Sequence, residues 1–416
     1  MNAVRAGVAR LPWRPTTRDV AIAAIVVGVL AFWLALPPVD VESPVWPILV
    51  GLIAIAGGIW AVTRGVRRAG WGAVAAGIIG VGMGLLAIRA SDANLEHVVV
   101  WGTLLSATLA WATPLTYAAI GGMLSERSGV VNIGLEGMML SGCFFGILGA
   151  DKFQSWELGL LSAAAAGAGF ALIHAIVSIH LRADQIVSGT AINFLSLGVT
   201  GYFFIQIYGP AGSPASHEIS RIPNIDENTA VVGPVIDKIH DIPRVGNFLF
   251  NVFGHLNLMI WLSFLLLIVA YLVLFRTPIG LRIRSVGEHP RAADTVGISV
   301  YATRYAAVIV SGMLAALGGA YLSIGFLSQF TEGMTNGRGF IALAAVIFGN
   351  WRPFGAFGAA LLFGGSTALS FRLAGPWESQ SVLFQTLPYV LTLIAVAGVI
   401  GRSIPPAAVG RPYVKQ

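Results

Sequence analysis

The chain has 416 residues, of which 56% are hydrophobic and only 11% are charged. A soluble domain usually carries about 25% charged residues, so this composition excludes an ordinary soluble globular protein. The net charge of +6 is spread over loops between apolar runs, where it indicates membrane topology and gives no reason to expect nucleic acid binding.

Apolar runs of membrane-spanning length follow one another along the chain, separated by short polar breaks. Because a β-barrel needs alternating polarity and these runs have none, the sequence predicts an all-α polytopic membrane protein, a bundle of about 10 to 12 transmembrane helices. The run at 339–349 is too short to cross a bilayer alone and is predicted to be broken or re-entrant. The candidate spans are residues 20–37, 45–63, 71–88, 99–122, 129–150, 157–180, 185–208, 256–275, 305–327, 339–349, 354–371 and 382–400.

The distribution of Lys and Arg predicts the orientation of these spans. Basic residues collect in the loops on the side of the Arg-rich N-terminus, whereas acidic residues collect on the opposite side. The positive-inside rule therefore places both termini in the cytoplasm, with the N-terminal stretch interpreted as a retained tail.

One carboxylate interrupts the apolar run at 129–150. A charge in mid-membrane costs about 2.5–3.5 kcal/mol on insertion scales, so Glu136 is expected to be paired, protonated or facing a watery cavity. Asn132 lies four residues earlier, which predicts that both side chains share one helical face. Two interpretations remain open: a polar stripe along a solute path, or interhelical hydrogen bonds that fix packing.

The span at 185–208 begins with several hydroxyl and amide groups. Ser188 and Asn193 are candidates for the solute path, and Asn193 is the stronger candidate for contact with a polar solute. Asp184 precedes the span and is predicted to cap the helix.

A long loop after the span at 256–275 contains one predicted short helix. Pro290 and Gly297 flank the sequence RAADTV, and these residues are typical of a helix start and of the position just past a helix end. A short basic helix can lie on lipid headgroups or dock into another protein, and composition does not decide between the two.

Motifs for catalysis and for nucleotide binding are missing from the sequence. It contains neither the phosphate-binding pattern G-x-x-x-x-G-K-[ST] nor the hydrolase patterns H-E-x-x-H and G-x-S-x-G, and its histidines lack metal-ligand spacing. We therefore expect no catalytic residue, no metal site and no directly bound cofactor.

Four motifs resemble those of a known family. The stretches ERSGVVNIGLEGMML, ADQIVSGTAINFLSLGVT, VGEHPRAADTVGI and GRGFIALAAVIFGNWRPFGA are similar to permease subunits of bacterial ABC importers. They resemble the branch that handles nucleosides and simple sugars, related to ribose and branched-chain amino acid permeases, and come closest to nucleoside-uptake subunits. The resemblance implies a permease domain at 99–401, an N-terminal tail with about three extra helices at 1–98, and a cytoplasmic C-terminal tail at 402–416.

The resemblance also implies a set of partners. These are a second, non-identical permease subunit, a cytoplasmic ABC ATPase that uses the ATP, an extracytoplasmic substrate-binding lipoprotein, and the lipids of the bacterial inner membrane. The loop helix then corresponds to a coupling helix that docks into the ATPase. Its matching positions are Gly287, Glu288, Pro290, Arg291, Asp294 and Gly297.

Two alternatives to nucleoside uptake stay open. The chain could instead serve as a permease for ribose or another simple sugar. In a different class, it could work alone as an ion-coupled secondary transporter in which Glu136 takes up and releases a proton. Tyr117, Phe194 and Phe326 are aromatic candidates for stacking on a nucleobase in the path.

Overall fold

The structure is a computed structural model, and it describes residues 16–35, 45–89, 101–209, 219–225, 246–374, 386 and 403–415. Apart from one position, the predicted span at 382–400 lies outside these described residues. Within the described residues the chain is almost entirely helical, and eight helices are long and apolar enough to cross a membrane. The predicted class, an all-α polytopic membrane protein, is confirmed.

The described helices and strands follow in chain order. They are α1 (Thr17–Leu34), α2 (Val45–Thr63), α3 (Arg67–Arg89), α4 (Trp101–Arg127), α5 (Leu135–Phe153), α6 (Trp156–Ala175), α7 (Gln185–Tyr208), β1 (Asn224–Ile225), α8 (Gly246–Phe253), β2 (Leu256–Asn257), α9 (Leu258–Arg276), α10 (Pro278–Glu288), α11 (Pro290–Thr295), α12 (Val300–Ala320), α13 (Arg338–Phe348) and α14 (Pro353–Ala374). Single π-helical turns extend α6 over Ile176–His180 and α12 over Tyr321–Phe326. The two strands pair antiparallel.

Helices α1, α2 and α3 form one compact unit of the chain. Their contacts use small residues: a Cβ on Gly58 would lie 2.7 Å from the carbonyl oxygen of Gly70. Such close approach lets helices associate in lipid through van der Waals packing.

The second unit contains the helices from α4 onward together with residues 403–415. Helix α5 lies at its centre, where almost every residue from Leu135 to Ala150 is buried. Glycines permit the central crossings, since a Cβ on Gly142 would lie 2.0 Å from the carbonyl oxygen of Ala316. Close packing of α5 on α12 therefore depends on the small residues along both helices.

Two non-helical segments of this unit lead into α5 and α13. Segment 128–134 separates α4 from α5, and segment 327–337 separates the end of α12 from α13. The predicted span at 129–150 is therefore wrong at its start, because the chain turns at Gly129 with a φ of 94° and becomes helical only at Leu135. The prediction that 339–349 is too short to span is confirmed, since α13 has 11 residues and rises about 16 Å.

Candidate functional site

Glu136 joins the first turns of two helices. It lies in the first turn of α5, and its carboxylate accepts hydrogen bonds from Thr335 Oγ1 at 2.6 Å, Gly337 N at 2.8 Å and Gly339 N at 2.6 Å. These N–H groups belong to the start of α13, where backbone donors lack partners within the helix. Glu136 thus caps α13 from a different helix, and we call this contact the α5–α13 junction.

The junction is closely packed and lies at the start of α13, far from the C-terminal end of that helix. A Cβ on Gly339 would lie 2.5 Å from both Cα and N of Glu136, so only glycine fits there. Arg338 stacks over the ring of Trp111 at 5.0 Å and interacts electrostatically with Glu136. Because α13 rises about 16 Å, the carboxylate lies about that far from the opposite end of the helix. Its depth in a bilayer stays a prediction.

Side chains of α6 and α7 satisfy the backbone of segment 128–134. Gln185 Oε1 accepts from Val131 N at 2.7 Å, and His174 Nε2 donates to Val131 O at 3.0 Å. The other ring nitrogen of His174 lies 2.9 Å from Ser188 Oγ. Irregular backbone inside a membrane protein is tolerated where the protein supplies such partners. Ser188 therefore supports the histidine that holds this segment.

Asn193 bridges segment 128–134 and α5. Its Nδ2 donates to Ile133 O at 3.1 Å, and its Oδ1 accepts from Gly137 N at 2.8 Å. Ser196, one turn further along α7, donates to Gly137 O at 2.6 Å. Both polar atoms of the Asn193 amide thus have partners within the chain.

Asn132 lies in segment 128–134 and not on a helix, so the prediction that it shares a helical face with Glu136 is wrong. The helix begins only at Leu135, which removes the four-residue helical spacing. Asn132 is fully buried, and its Nδ2 donates to Ser311 Oγ at 3.0 Å on α12. Its Oδ1 is buried and has no hydrogen-bond partner.

A buried carboxylate, Glu126, is not indicated by the sequence. The predicted span at 99–122 ends before Glu126, but α4 continues to Arg127 and leaves Glu126 only 5% exposed. The indole N–H of Trp351 donates to this carboxylate, and Arg127 donates to Trp351 O at 2.8 Å and 3.1 Å. The only signal was the Glu–Arg pair directly after an apolar run, which looks the same in a solvated loop.

The predicted coupling helix is present as α11. It spans Pro290–Thr295, and Gly297 follows with a φ of 82°, as the Pro-to-Gly pattern predicts. Arg291 is exposed and Asp294 is half-buried. Glu288 accepts from Ala407 N at 3.1 Å, so its carboxylate already has a partner within the chain.

Gly287 has a packing role that the sequence did not reveal. A Cβ at this position would lie 2.1 Å from Arg127 O, at the end of α4. The absence of a side chain therefore brings the α10–α11 corner against the start of segment 128–134.

The three aromatic candidates lie in different surroundings. Tyr117 is buried and donates to Met259 O at 3.3 Å, and Phe326 packs against Trp111 with ring centroids 4.8 Å apart. Phe194 is 71% exposed on α7. Among the residues the structure describes, no group of three His, Cys, Asp or Glu side chains could hold a metal ion.

Comparison with known proteins places the chain in a family. The model of the branched-chain amino acid transport system / permease component family matches residues 104–396. The chain is 44% identical to the guanosine ABC transporter permease protein NupQ of Bacillus subtilis over 331 residues, which cover 77% of this chain and 99% of NupQ. It is 40% identical to the nucleoside ABC transporter permease protein NupC of Lactococcus lactis over 74% of this chain and 95% of NupC.

A relative with a different substrate in its name also matches. The chain is 36% identical to the putative glucose ABC transporter permease protein TsgC13 of Haloferax volcanii, over 65% of this chain and 77% of that protein. No solved structure matches the chain.

Proposed function

The chain belongs to the permease-component family of branched-chain amino acid transport systems, and from that premise we propose that it is the membrane-spanning subunit of an ATP-driven importer of nucleosides. The observation that carries the proposal is the 44% identity to a guanosine permease over 99% of that relative's length. The match at 36% to a putative glucose permease is lower and covers less of both chains, so a sugar is the second candidate.

Energy for transport comes from a separate subunit in this proposal. The sequence has no phosphate-binding loop for ATP, whereas α11 presents an exposed turn of helix to a partner. A cytoplasmic ATPase binds this helix, a second and non-identical permease completes the path, and an extracytoplasmic lipoprotein delivers the nucleoside. Both termini lie in the cytoplasm of a bacterial cell, in accordance with the distribution of Lys and Arg.

The solute path runs beside the α5–α13 junction in this proposal. Two helices that meet end to end at Glu136 can separate there while the internal hydrogen bonds of each helix stay intact. Asn132 supports this placement, because its buried Oδ1 is an acceptor that a solute hydroxyl or amino group can use when the path opens. Glu136, Ser188 and Asn193 act as positioning residues that fix the two helix starts.

Competitive uptake by the reconstituted complex tests this function. Liposomes that contain the chain with its ATPase and binding protein, and ATP on the ATPase side, are supplied with radiolabelled guanosine. Unlabelled nucleosides in excess should strongly reduce the signal, whereas ribose, glucose and leucine at the same concentration should leave it unchanged. Competition by glucose or ribose alone would support a sugar permease instead.

The ion-coupled alternative makes a different prediction for the same liposomes. If Glu136 carried protons, collapsing the proton and sodium gradients with ionophores would stop uptake while ATP remained. The proposed importer continues under those conditions and stops when ATP is removed.

A further inference from the structure

Residues 403–415, the C-terminal segment, lie directly against the predicted coupling helix. Ala408 N donates to Gly287 O at 2.9 Å, and Ala407 N donates to the Glu288 carboxylate at 3.1 Å. Both contacts fall on the α10–α11 corner, where the chain turns from one helix into the next. The sequence predicted only a tail here, but the segment is hydrogen-bonded to the corner from which the helix that we propose the ATPase contacts begins.

The same segment reaches the start of segment 128–134. Gly410 N donates to Gly129 O at 3.2 Å. Arg304, on α12, is only 1% exposed and joins the two segments, since its Nε donates to Ser128 O at 3.2 Å and its Nη1 to Arg411 O at 3.1 Å. Losing either carbonyl would leave a buried guanidinium N–H without an acceptor, which carries the desolvation penalty of that group.

Tyr413 packs the end of the C-terminal segment against α11. It is 6% exposed and belongs to a small apolar cluster with Val286, Ala293 and Val300. Tyr301 packs against its ring at 5.6 Å and donates to its carbonyl oxygen at 3.3 Å. Burial and a hydrogen bond to Asp294 raise the pKa of the Tyr413 phenol above its usual value. The C-terminal segment thus covers one side of the predicted coupling helix and excludes solvent from it.

The solvent-exposed surface formed by α11 and the C-terminal segment is basic. A groove of about 530 Å³ runs between α11 and the C-terminal segment, lined by residues of both. Arg291 on one wall and Arg411 on the other are exposed, with Lys415 at the end of the described chain, whereas the one acidic group in the lining, Glu288, is bonded to Ala407. Such a surface is complementary to a partner whose contact face is acidic.

We propose that the ATPase docks on a composite surface made of α11 and the C-terminal segment, with an acidic face of the ATPase meeting Arg291 and Arg411. The inference rests on the proposed function and adds to it the second half of the contact. The C-terminal segment contacts α11 through Tyr413 and holds Ser128 and Gly129 through Arg304 and Gly410. A shift of α11 therefore reaches segment 128–134 through the C-terminal segment as well as through Gly287.

Photo-cross-linking in the assembled complex tests the composite surface. A benzophenone amino acid replaces Ala292 on α11, Val414 on the C-terminal segment, or Phe153 at the opposite end of α5 as a control; all three side chains are exposed. We expect Ala292 and Val414 to cross-link the same protein, identified by peptides that contain the G-x-x-x-x-G-K-[ST] loop, and Phe153 to yield none of it.

The outcomes separate the inference from the function on which it rests. Cross-linking of the ATPase from Ala292 but not from Val414 overturns the composite surface and leaves the importer in place. Cross-linking from neither position while the complex transports nucleosides overturns the docking of α11 as well. Absence of any ATPase from a complex that still concentrates its solute overturns both.

Charge reversal supplies a second measurement. Arg411→Glu changes an exposed side chain while its backbone carbonyl still accepts from Arg304. We expect about ten-fold weaker binding of the ATPase, or about 1.4 kcal/mol, whereas Arg182→Glu, at an exposed arginine in the α6–α7 loop, should leave binding unchanged. Equal binding by Arg411→Glu and the unaltered chain would overturn the inference.

Discussion

Segments 128–134 and 327–337, which lead into α5 and α13, are held in contrasting ways. Segment 128–134 is fixed by polar side chains from three other helices, among them His174, Asn193 and Arg304. Segment 327–337 forms its own turns, such as Asn336 N to Gly333 O at 2.9 Å, and its buried Phe330 ring packs against Phe144 and Phe204. Hydrogen bonds require a specific direction and register, whereas the hydrophobic effect is non-directional.

This difference identifies the movable side of the α5–α13 junction. Segment 128–134 and the start of α5 behave as a frame, because each of their polar anchors would be lost on displacement. Among the hydrogen bonds given for the described residues, those that join segment 327–337 and the start of α13 to that frame all end on one carboxylate, Glu136. We therefore expect α13 to move relative to α5 during transport, with Glu136 as the contact that breaks.

Of the three substitutions proposed here, Glu136→Leu should have the largest effect on uptake and stability. The substitution leaves one hydroxyl and two backbone N–H groups without an acceptor, at about 1–3 kcal/mol for each buried group. We expect uptake to be lost and thermal stability in detergent to fall. Glu136→Gln keeps one acceptor oxygen and should assemble normally with reduced uptake. Wild-type uptake by the leucine variant would show that the junction has no part in transport.

Gly339→Ala should have an intermediate effect on the same junction. The added methyl group would lie 2.5 Å from the backbone of Glu136, and such overpacking costs about 1–3 kcal/mol. Gly358→Ala on α14 is the matched control, since a Cβ there meets no atom within 4 Å and alanine favours the helix by about 1 kcal/mol. Thermal unfolding of both variants in detergent measures the difference, and equal destabilisation would contradict the close contact.

Asn193→Ala should have a smaller effect, confined to the frame. It removes two of the hydrogen bonds that hold Ile133 and Gly137, while Ser196 and Gln185 keep theirs. We expect a loss of about 1 kcal/mol in stability for each of the two groups left without a partner, and a modest decrease in uptake. Thr190→Ala on the same helix, whose hydroxyl bonds only to Ile186 O, should change neither. A larger loss of uptake than for Glu136→Leu would reverse the assignment of frame and movable part.

Hydropathy predicted most helices and the short α13, because a segment that lies in an apolar medium has an apolar local composition. It failed at the start of α5, since the apolar character continues through segment 128–134 while the backbone turns at Gly129. Sequence spacing also could not indicate the hydrogen-bond partners of Glu136, because they lie 199 to 203 positions away along the chain. Glu126 shows the same limit: its burial depends on Trp351, which is 225 positions distant.

The helix at Pro290–Thr295 was predicted correctly because its sequence signals are local. Proline and glycine restrict the backbone at the positions they occupy, so a start and an end can be read without knowing the fold. The contacts of that helix with residues 403–415 depend on two distant parts of the chain meeting, and no local pattern indicates them.

Uptake by the purified chain with and without its partners tests the central claim most directly. Liposomes receive either the chain alone, with imposed ion gradients, or the chain with its second permease, ATPase and binding protein. We predict that only the complete complex concentrates the nucleoside, and only with ATP. Accumulation of the nucleoside by the chain alone would contradict the account.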